Sequence, residues 1–345
     1  MSVKVILWGL GAMGAGIGRT LLRRGGAEIV GAIRADPRKA GGDLGETLGV
    51  ATRTGVTVTV DPTDVVGKVE ADIVIHSTGS FVGEIYPQLE QCVRASLDVI
   101  SIAEEMAYPW VGNPGLAGAL DSLAREHGCT VLGTGINPGF VLDTLIIALT
   151  AACTRVDRIR ASRINDLSPF GPTVMRTQGV GTTPEEFRAG VVRGEIVGHI
   201  GFPESISLIA RALGWTVERV VETREPIIAS VRRSTPHVTV APGMVAGCRH
   251  VARGFVGGEE RITLEHPQQV NPEFEGVETG DYIRIEGEPG ISLSIKPEIP
   301  GGVGTIAVAV NMIPRVLEAP PGLVTVLDLV LPRFWPADEG MEVRS

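Results

Sequence analysis

The chain alternates short apolar runs with stretches whose apolar positions recur every three to four residues. Val3 to Trp8 is almost wholly apolar and predicts a buried parallel strand that ends at Gly9. In Gly14 to Arg24, Ile17, Leu21 and Leu22 fall at helical spacing, and Gly25-Gly26 stops that helix. Ala27 to Ile33, Thr57 to Val60, Ile73 to His76, Val99 to Ile102 and Thr130 to Leu132 continue the strand series. Tyr86 to Ala95 and Asn113 to His127 read as helices between them, and Asp61-Pro62-Thr63-Asp64 as a helix start. Strand and helix alternating at this pace predict an α/β fold, a doubly wound parallel Rossmann sheet with helices on both faces.

The pattern changes after about Asp143. Arg158 to Ile164 reads as a strand, Pro184 to Arg193 and Glu204 to Leu213 as helices. From Thr235 onward strands dominate: Val238 to Ala241, Arg249 to Val256, Arg261 to Glu265, Tyr282 to Glu286 and Ser292 to Lys296. Gly257-Gly258 and Glu288-Pro289-Gly290 mark hairpin turns. The expectation is a second, α+β domain with a mixed or antiparallel sheet. Gly304 to Leu317 then predicts an apolar helix packed on the first domain. The predicted division is therefore 1–142 for a nucleotide-binding domain, 143–302 for a substrate and oligomerisation domain, and 303–345 for a segment returning to the first.

Composition narrows the chemistry. A chain of 345 residues exceeds the usual size of a single core, in accord with two domains. The net charge of -9 argues against a general nucleic-acid binder, which needs a basic face. No run of roughly 18 apolar residues occurs, and the chain opens directly on a strand-like segment, so neither a membrane span nor a secretory signal is expected. Cys92, Cys129, Cys153 and Cys248 lie far apart among apolar or small residues, as buried reduced thiols of a cytoplasmic protein would. The histidines show no metal-ligand spacing, so no metal is expected. Lysine is confined to Lys4, Lys39, Lys68 and Lys296, none at a predicted catalytic strand end, which disfavours Schiff-base mechanisms.

Gly9-Leu10-Gly11-Ala12-Met13-Gly14 matches GxGxxG, a weak pattern alone in a chain with 45 glycines. Here it follows the first strand and opens a helix, which is the context that gives it meaning. Gly9 permits the tight turn, Gly11 lets backbone approach a pyrophosphate, and Gly14 lets helix pack on strand. The helix start, Ala12 and Met13 included, offers free N–H groups to phosphate. At the end of the second strand Arg34 stands where an acid would favour NAD, and a guanidinium suits a 2'-phosphate. NADP is the expected cofactor, with Arg38 and Lys39 adding charge; Asp36 leaves NAD open. Ser77 and Thr78, in Ser77-Thr78-Gly79-Ser80, are expected on the ribose and nicotinamide side.

The fifth strand delivers Glu104-Glu105. Adjacent side chains alternate in direction, so one carboxylate faces a cleft and the other does not. Glu104 is the expected inward one, with Glu105 as the alternative.

These segments together resemble the 2,4-diaminopentanoate dehydrogenase family and the related native amine dehydrogenases. The likeness is carried by Gly9 to Gly14, Glu104-Glu105 with Tyr108-Pro109, Gly133 to Phe140, Gly198-His199, Glu275 to Tyr282, Pro297 to Gly302 and Asn311 to Pro314, which span nearly the whole chain. The resemblance implies a fold like that of dihydrodipicolinate reductase. It also implies reversible NAD(P)-dependent oxidative deamination of an amine or 2,4-diamino acid, releasing ammonia and a ketone. A carboxylate at Glu104 suits that reaction, steadying a C=N cation and moving protons.

Asn137, in Gly-Ile-Asn-Pro-Gly after the sixth strand, is expected on substrate or nicotinamide amide; its other reading is a turn residue before Pro138. Arg163 and Asn165, with His199, would clamp a carboxylate; surface charge and a packed histidine are the plainer reading. Two other functions are compatible with a fold of this kind. A dihydrodipicolinate reductase-like imine reductase would exchange no ammonia, but the His-His pair and lysine loop of that family are missing. A non-catalytic NADP-binding sensor would not need an acid facing the nicotinamide. Leu323 to Pro332 reads as an oligomer surface or a buried strand, and a homodimer is expected.

Overall fold

The structure, a computed structural model, describes residues 2–336. Residues 337–345, the end of the expected segment 303–345, lie outside the described residues. The chain divides into two compact units: one runs through Phe140 and resumes at Pro300, the other is Val141–Ile299.

The first unit is built on a seven-stranded sheet. In chain order come β1 (Val3–Trp8), β2 (Ala27–Ile33), β3 (Val58–Thr59), β4 (Ile73–His76), β5 (Asp98–Ser101) and β6 (Thr130–Gly133). In space the order is β6-β5-β4-β1-β2-β3, with the late strand Gly322–Val324 beside β6, and every pairing is parallel. Strand order reverses between β1 and β4, and the crevice at such a reversal is where open α/β sheets bind ligands.

Alternation along β1 shows how the layers form. Val3, Val5 and Leu7 enter one core with Ile17 and Leu21 of helix α1 (Ala12–Arg24) and with Val308 and Ala309 of the helix Gly301–Asn311. Ile6 and Trp8 enter the other, with Val82, Ile85 and Leu89 of α3 (Val82–Arg94) and Leu120 of α4 (Pro114–His127). The short α2 (Leu44–Leu48) closes the β2 side, begun by Asp43, whose carboxylate accepts from Gly45 N at 2.7 Å. The apolar stretch expected as one helix from Gly304 to Leu317 is two, Gly301–Asn311 and Ile313–Leu317. Pro314 stands in the first turn of the second, where the missing N–H costs nothing. Of the Leu323 to Pro332 region, only Leu323 and Val324 are in a strand, as the last two residues of Gly322–Val324 beside β6.

The second unit holds helices α5 (Thr144–Thr150), α6 (Pro172–Thr177), α7 (Pro184–Arg193) and α8 (Phe202–Ala212). Its strands are β7 (Arg155–Asp166), β8 (Arg219–Ile228), the ribbon β9 (Arg233–Ser234) and β10 (Thr239–Val240), then β11 (Val245–Val256), β12 (Glu259–Gln269), β13 (Gly280–Glu288) and β14 (Ile291–Ile295). Six of them form a sheet in the order β14-β13-β7-β12-β11-β8. β12 runs parallel to β7 and the other pairings are antiparallel, so the sheet is mixed. β8 was not expected from the sequence, because its ten residues carry five charged or proline positions and stand at the sheet edge.

Candidate active site

The glycine turn has two kinds of glycine. Gly9 has φ +104°, and a Cβ there would sit 2.4 Å from the Ser77 carbonyl oxygen. A Cβ on Gly14 would sit 1.8 Å from the Gly9 carbonyl oxygen. Both are required by the fold itself. Gly11 is different: its φ is -75°, and a Cβ there meets no protein atom within 4 Å. Protein packing therefore gives no reason for glycine at position 11, whereas close approach of a phosphate does. Gly11 is also the cap of α1 without any side-chain acceptor, which leaves the N–H groups of Ala12 and Met13 for an anion.

Arg34 lies just beyond β2. Together with Leu10, Lys39, Thr47 and Glu46 it lines a cleft of about 460 Å³. Its guanidinium donates to the Lys39 carbonyl at 3.4 Å, while its Nε is buried without a partner. Asp36 is held by Arg38, at 3.0 and 3.1 Å from its guanidinium and 3.1 Å from its backbone N–H, which pushes the Asp36 carboxyl below its ordinary range. The two expected hydroxyls both have protein partners. Ser77 Oγ donates to the Gly9 carbonyl at 2.9 Å and braces the turn; Thr78 Oγ1 donates to Gln88 Oε1 at 2.6 Å.

The two adjacent carboxylates have different surroundings. Both stand on a single turn of 3-10 helix, Glu104–Ala107, directly after β5. Glu105 is tied down: it accepts from Val82 N, at the start of α3, at 2.7 Å and from Asn113 Nδ2 at 3.1 Å. Glu104 is half-buried, and burial raises its pKa above the ordinary glutamate value; a hydrogen bond from Ser80 offsets this in part and the charge of Glu105 adds to it. In the loop after β6, both amide atoms of Asn137 and the hydroxyl of Thr134 are buried without hydrogen-bond partners. Buried polar atoms are rarely left so, and these four elements, Gly11, Arg34, Asn137 and Thr134, fit a dinucleotide.

In the second unit the buried face of the sheet turns polar at one end. Along β7 the inward run is Ile159, Ala161, Arg163, Asn165; along β12 it is Ile262, Leu264, His266, Gln268. Register sets Asn165 beside Gln268 and His266 opposite His250 of β11. Arg163 is 2 % exposed, and its guanidinium donates to Asp281 Oδ1 and to the Ile299 carbonyl. Its charge is thus already matched inside the unit. Asn165 Oδ1, His199 Nε2 and both ring nitrogens of His266 are buried without partners. The His199 ring lies 5.0 Å from that of His266 and 4.6 Å from Phe202, while the backbone N–H of His199 donates to His250 Nδ1 at 3.0 Å. Burial, aided by His250 and Arg163, pushes the His199 pKa down to about 3, and that of His266 far down as well. Both imidazoles are neutral near pH 7.

His266 was missed by sequence reasoning, and Ser80, expected with its loop on the ribose and nicotinamide side, was not expected at Glu104. The signal for His266 was available, since the period-two inward run of β12 continues through it. Ser80 has no such signal; only the folded loop brings it to Glu104. Among the described residues, no group of three or more His, Cys, Asp or Glu could hold a metal ion, and no helix is long and apolar enough to cross a membrane.

A glycine cradle and a half-buried acid at the carboxyl ends of a parallel sheet are the working parts of dinucleotide-dependent oxidoreductases, and to that class the first unit assigns the chain. Comparison with known proteins narrows the class. Residues 140–344 match the family described as 2,4-diaminopentanoate dehydrogenase C-terminal domain. The chain is 45 % identical to the 2,4-diaminopentanoate dehydrogenase of Acetoanaerobium sticklandii, over 96 % of this chain and 94 % of that one. It is 26 % identical to an amine dehydrogenase of Streptomyces virginiae, covering 95 % and 96 % of the two. Its structure is similar to that of an amine dehydrogenase from Mycobacterium smegmatis, with a TM-score of 0.86 and 31 % identity over 97 % of this chain and 98 % of the other. The protein belongs to the 2,4-diaminopentanoate dehydrogenase family.

Proposed function

We propose that the protein is an amine dehydrogenase that carries out reversible NAD(P)-dependent oxidative deamination of 2,4-diaminopentanoate or a closely similar amine. The observation that carries this reading is the contrast between neighbours: Glu105 is committed to a helix N-terminus, while Glu104 remains half-buried with a raised pKa. The family membership, and the names of relatives at 45 % and 31 % identity, support the reaction class.

The glycine turn, the start of α1 and Asn137 would hold the dinucleotide. When bound, it supplies hydride acceptance in deamination and hydride donation in the reverse direction. Glu104 does the rest of the work near the reacting carbon. Once the ammonium substrate has given up one proton to solvent, loss of hydride from the neutral amine leaves a C=N cation, which an adjacent carboxylate stabilises. Water adds to that carbon, and Glu104 takes a proton from water and delivers one to the departing nitrogen. Overall an ammonium substrate, oxidised cofactor and water give ketone, reduced cofactor, ammonium and one proton. The raised pKa suits a group that must both accept and give a proton near neutral pH.

NADP is the preferred cofactor in this reading. Arg34 and Lys39 set two cations in the cleft against the single carboxylate of Glu46, and Asp36 is occupied by Arg38. For the polar end of the substrate we assign Asn165 and His199, joined by His266, because their buried polar atoms lack partners. Arg163 supports them as a strut, held by Asp281. Four free cysteines, three of them buried, support a reducing, cytoplasmic setting. The exposed Val330, Leu331 and Phe334 support a homodimer.

The test is a spectrophotometric assay of 2,4-diaminopentanoate with NADP or NAD, with ammonium release measured in parallel. Reduced cofactor and ammonium should appear in equal amounts. Reduction without ammonium would favour an imine reductase instead, and binding of NADP without any turnover would favour a sensor.

A further inference from the structure

We infer that His76 is a positioning residue for Glu104, acting through a directed hydrogen-bond chain between the ends of β4 and β5. The inference rests on the catalytic role proposed above for Glu104. His76 is the last residue of β4, fully buried, edge-on to Trp8, where the three preceding positions are Ile-Val-Ile. A polar residue at such a place is costly unless every ring nitrogen is matched. Here each one is, and the match has a direction.

Gln88 Oε1 can only accept. It lies 2.7 Å from His76 Nε2 and 2.6 Å from Thr78 Oγ1. With the Gln88 amide oxygen turned to both, His76 Nε2 and the Thr78 hydroxyl donate to it, and Thr78 Oγ1, 2.9 Å from Nε2, shares the ring proton; this arrangement assigns the His76 proton to Nε2. The remaining ring nitrogen, Nδ1, is an acceptor and takes the hydroxyl proton of Ser101 at 3.2 Å. Ser101 Oγ in turn accepts the backbone N–H of Ala103 at 3.3 Å. The chain runs from Ala103 through Ser101 and His76 to Gln88 on α3. His76 and Ser101 are cross-strand partners in register, which fixes the middle of it.

Ala103 is the residue before Glu104 and caps the 3-10 turn that carries it. The other end of that turn is gripped by Glu105 on Val82, the first residue of α3, and by the Glu105 N–H on the Ser80 carbonyl at 3.2 Å. Glu104 thus stands between two ties to the same helix, one through its neighbour's carboxylate and one through the neutral imidazole. A protonated imidazole would leave the Ser101 hydroxyl without its acceptor. Burial keeps the ring neutral, with its pKa lowered to about 4.

A double-mutant cycle on the full-length protein tests this, with kcat and KM for 2,4-diaminopentanoate oxidation by NADP as the readout and the NADP Kd measured separately. His76→Leu should lower kcat about tenfold, the effect of one lost buried hydrogen-bonded link, with the NADP Kd within about twofold. In a Glu104→Gln background the same change should cost nothing further. His76→Gln, which keeps a donor and an acceptor, should recover most of the rate. If His76→Leu does not fold, Gln88→Ala, at a helix position suited to alanine, should lower kcat about threefold and show the same non-additivity. Losses that multiply between the two sites, or a melting temperature that falls while kcat stays, would overturn the role of His76 alone. Full activity in Glu104→Gln would instead remove the catalytic reading, and this inference with it.

Discussion

Two alanine substitutions in the same turn should have opposite consequences. At Gly14 the new methyl would sit 1.8 Å from the Gly9 carbonyl oxygen and 2.6 Å from Ser77 Oγ. The first of these is backbone and cannot swing away, so helix and strand must separate. Overpacking of this kind costs about 1–3 kcal/mol, occasionally more, which corresponds to a fall in Tm of about 2–12 °C at about 2–4 °C per kcal/mol. At Gly11 the methyl meets nothing, the backbone angles suit any residue, and the position is exposed. Reduced freedom of the unfolded chain offsets the poorer cap, so stability should stay within about 1 kcal/mol of wild type. The methyl would instead stand where the pyrophosphate approaches. The same overpacking range then becomes about a 5- to 150-fold rise in the NADPH Kd. Nicotinamide fluorescence titration and thermal melts without cofactor read the two effects separately. An unchanged NADPH Kd in Gly11→Ala, with the fold intact, would refute the placement of phosphate at this turn.

Three other outcomes follow from the same geometry. Arg34→Ala should weaken NADPH binding about 10- to 100-fold while leaving NADH nearly untouched, as loss of a charge-assisted phosphate contact requires; equal effects on both cofactors would contradict the NADP reading. Asp281→Ala should strand the buried Arg163 guanidinium and cost about 3–5 kcal/mol in a thermal or urea melt, whereas Arg163→Met combined with Asp281→Leu should cost less. His76 and His199 are neutral in the fold, with pKa values lowered to about 4 and about 3, and take up protons near 6.5 when unfolded. Protons then bind the unfolded chain preferentially as pH falls below about 6.5, so stability should drop through that window and level off only near pH 3–4; a melting temperature flat from pH 7 to 4 would contradict it.

Much of the first unit was legible because its strands are buried on both faces and read as unbroken apolar runs. β2 and β4 fall on the expected residues, and the glycine turn follows β1 as the motif requires. α3 begins four residues before its expected start, since Val82 is capped from a distance by Glu105 and nothing local announces it. β8 was hidden for a related reason: an edge strand with charged residues on its outer face has no apolar alternation to read. The candidate site divides in the same way. Glycines and acids at strand ends are marked by local sequence, so Gly11 and Glu104 could be named. Which of two adjacent glutamates is tied to the start of α3, and which partner already holds Arg163, depends on residues 23 and 118 positions away. Only the folded chain supplies those.

The proposed deamination depends on Glu104, and Glu104→Gln measured in single turnover tests it most directly. With NADPH bound, a ketone and ammonium in excess, the rate of NADPH oxidation should fall about 100- to 10,000-fold, while the NADPH Kd stays as in wild type. In the wild type the acidic limb of kcat/KM should lie above the ordinary glutamate value of about 4.3 and should vanish in the variant. A variant that turns over at the wild-type rate with an unaltered pH profile would show that the carboxylate takes no part in the chemistry.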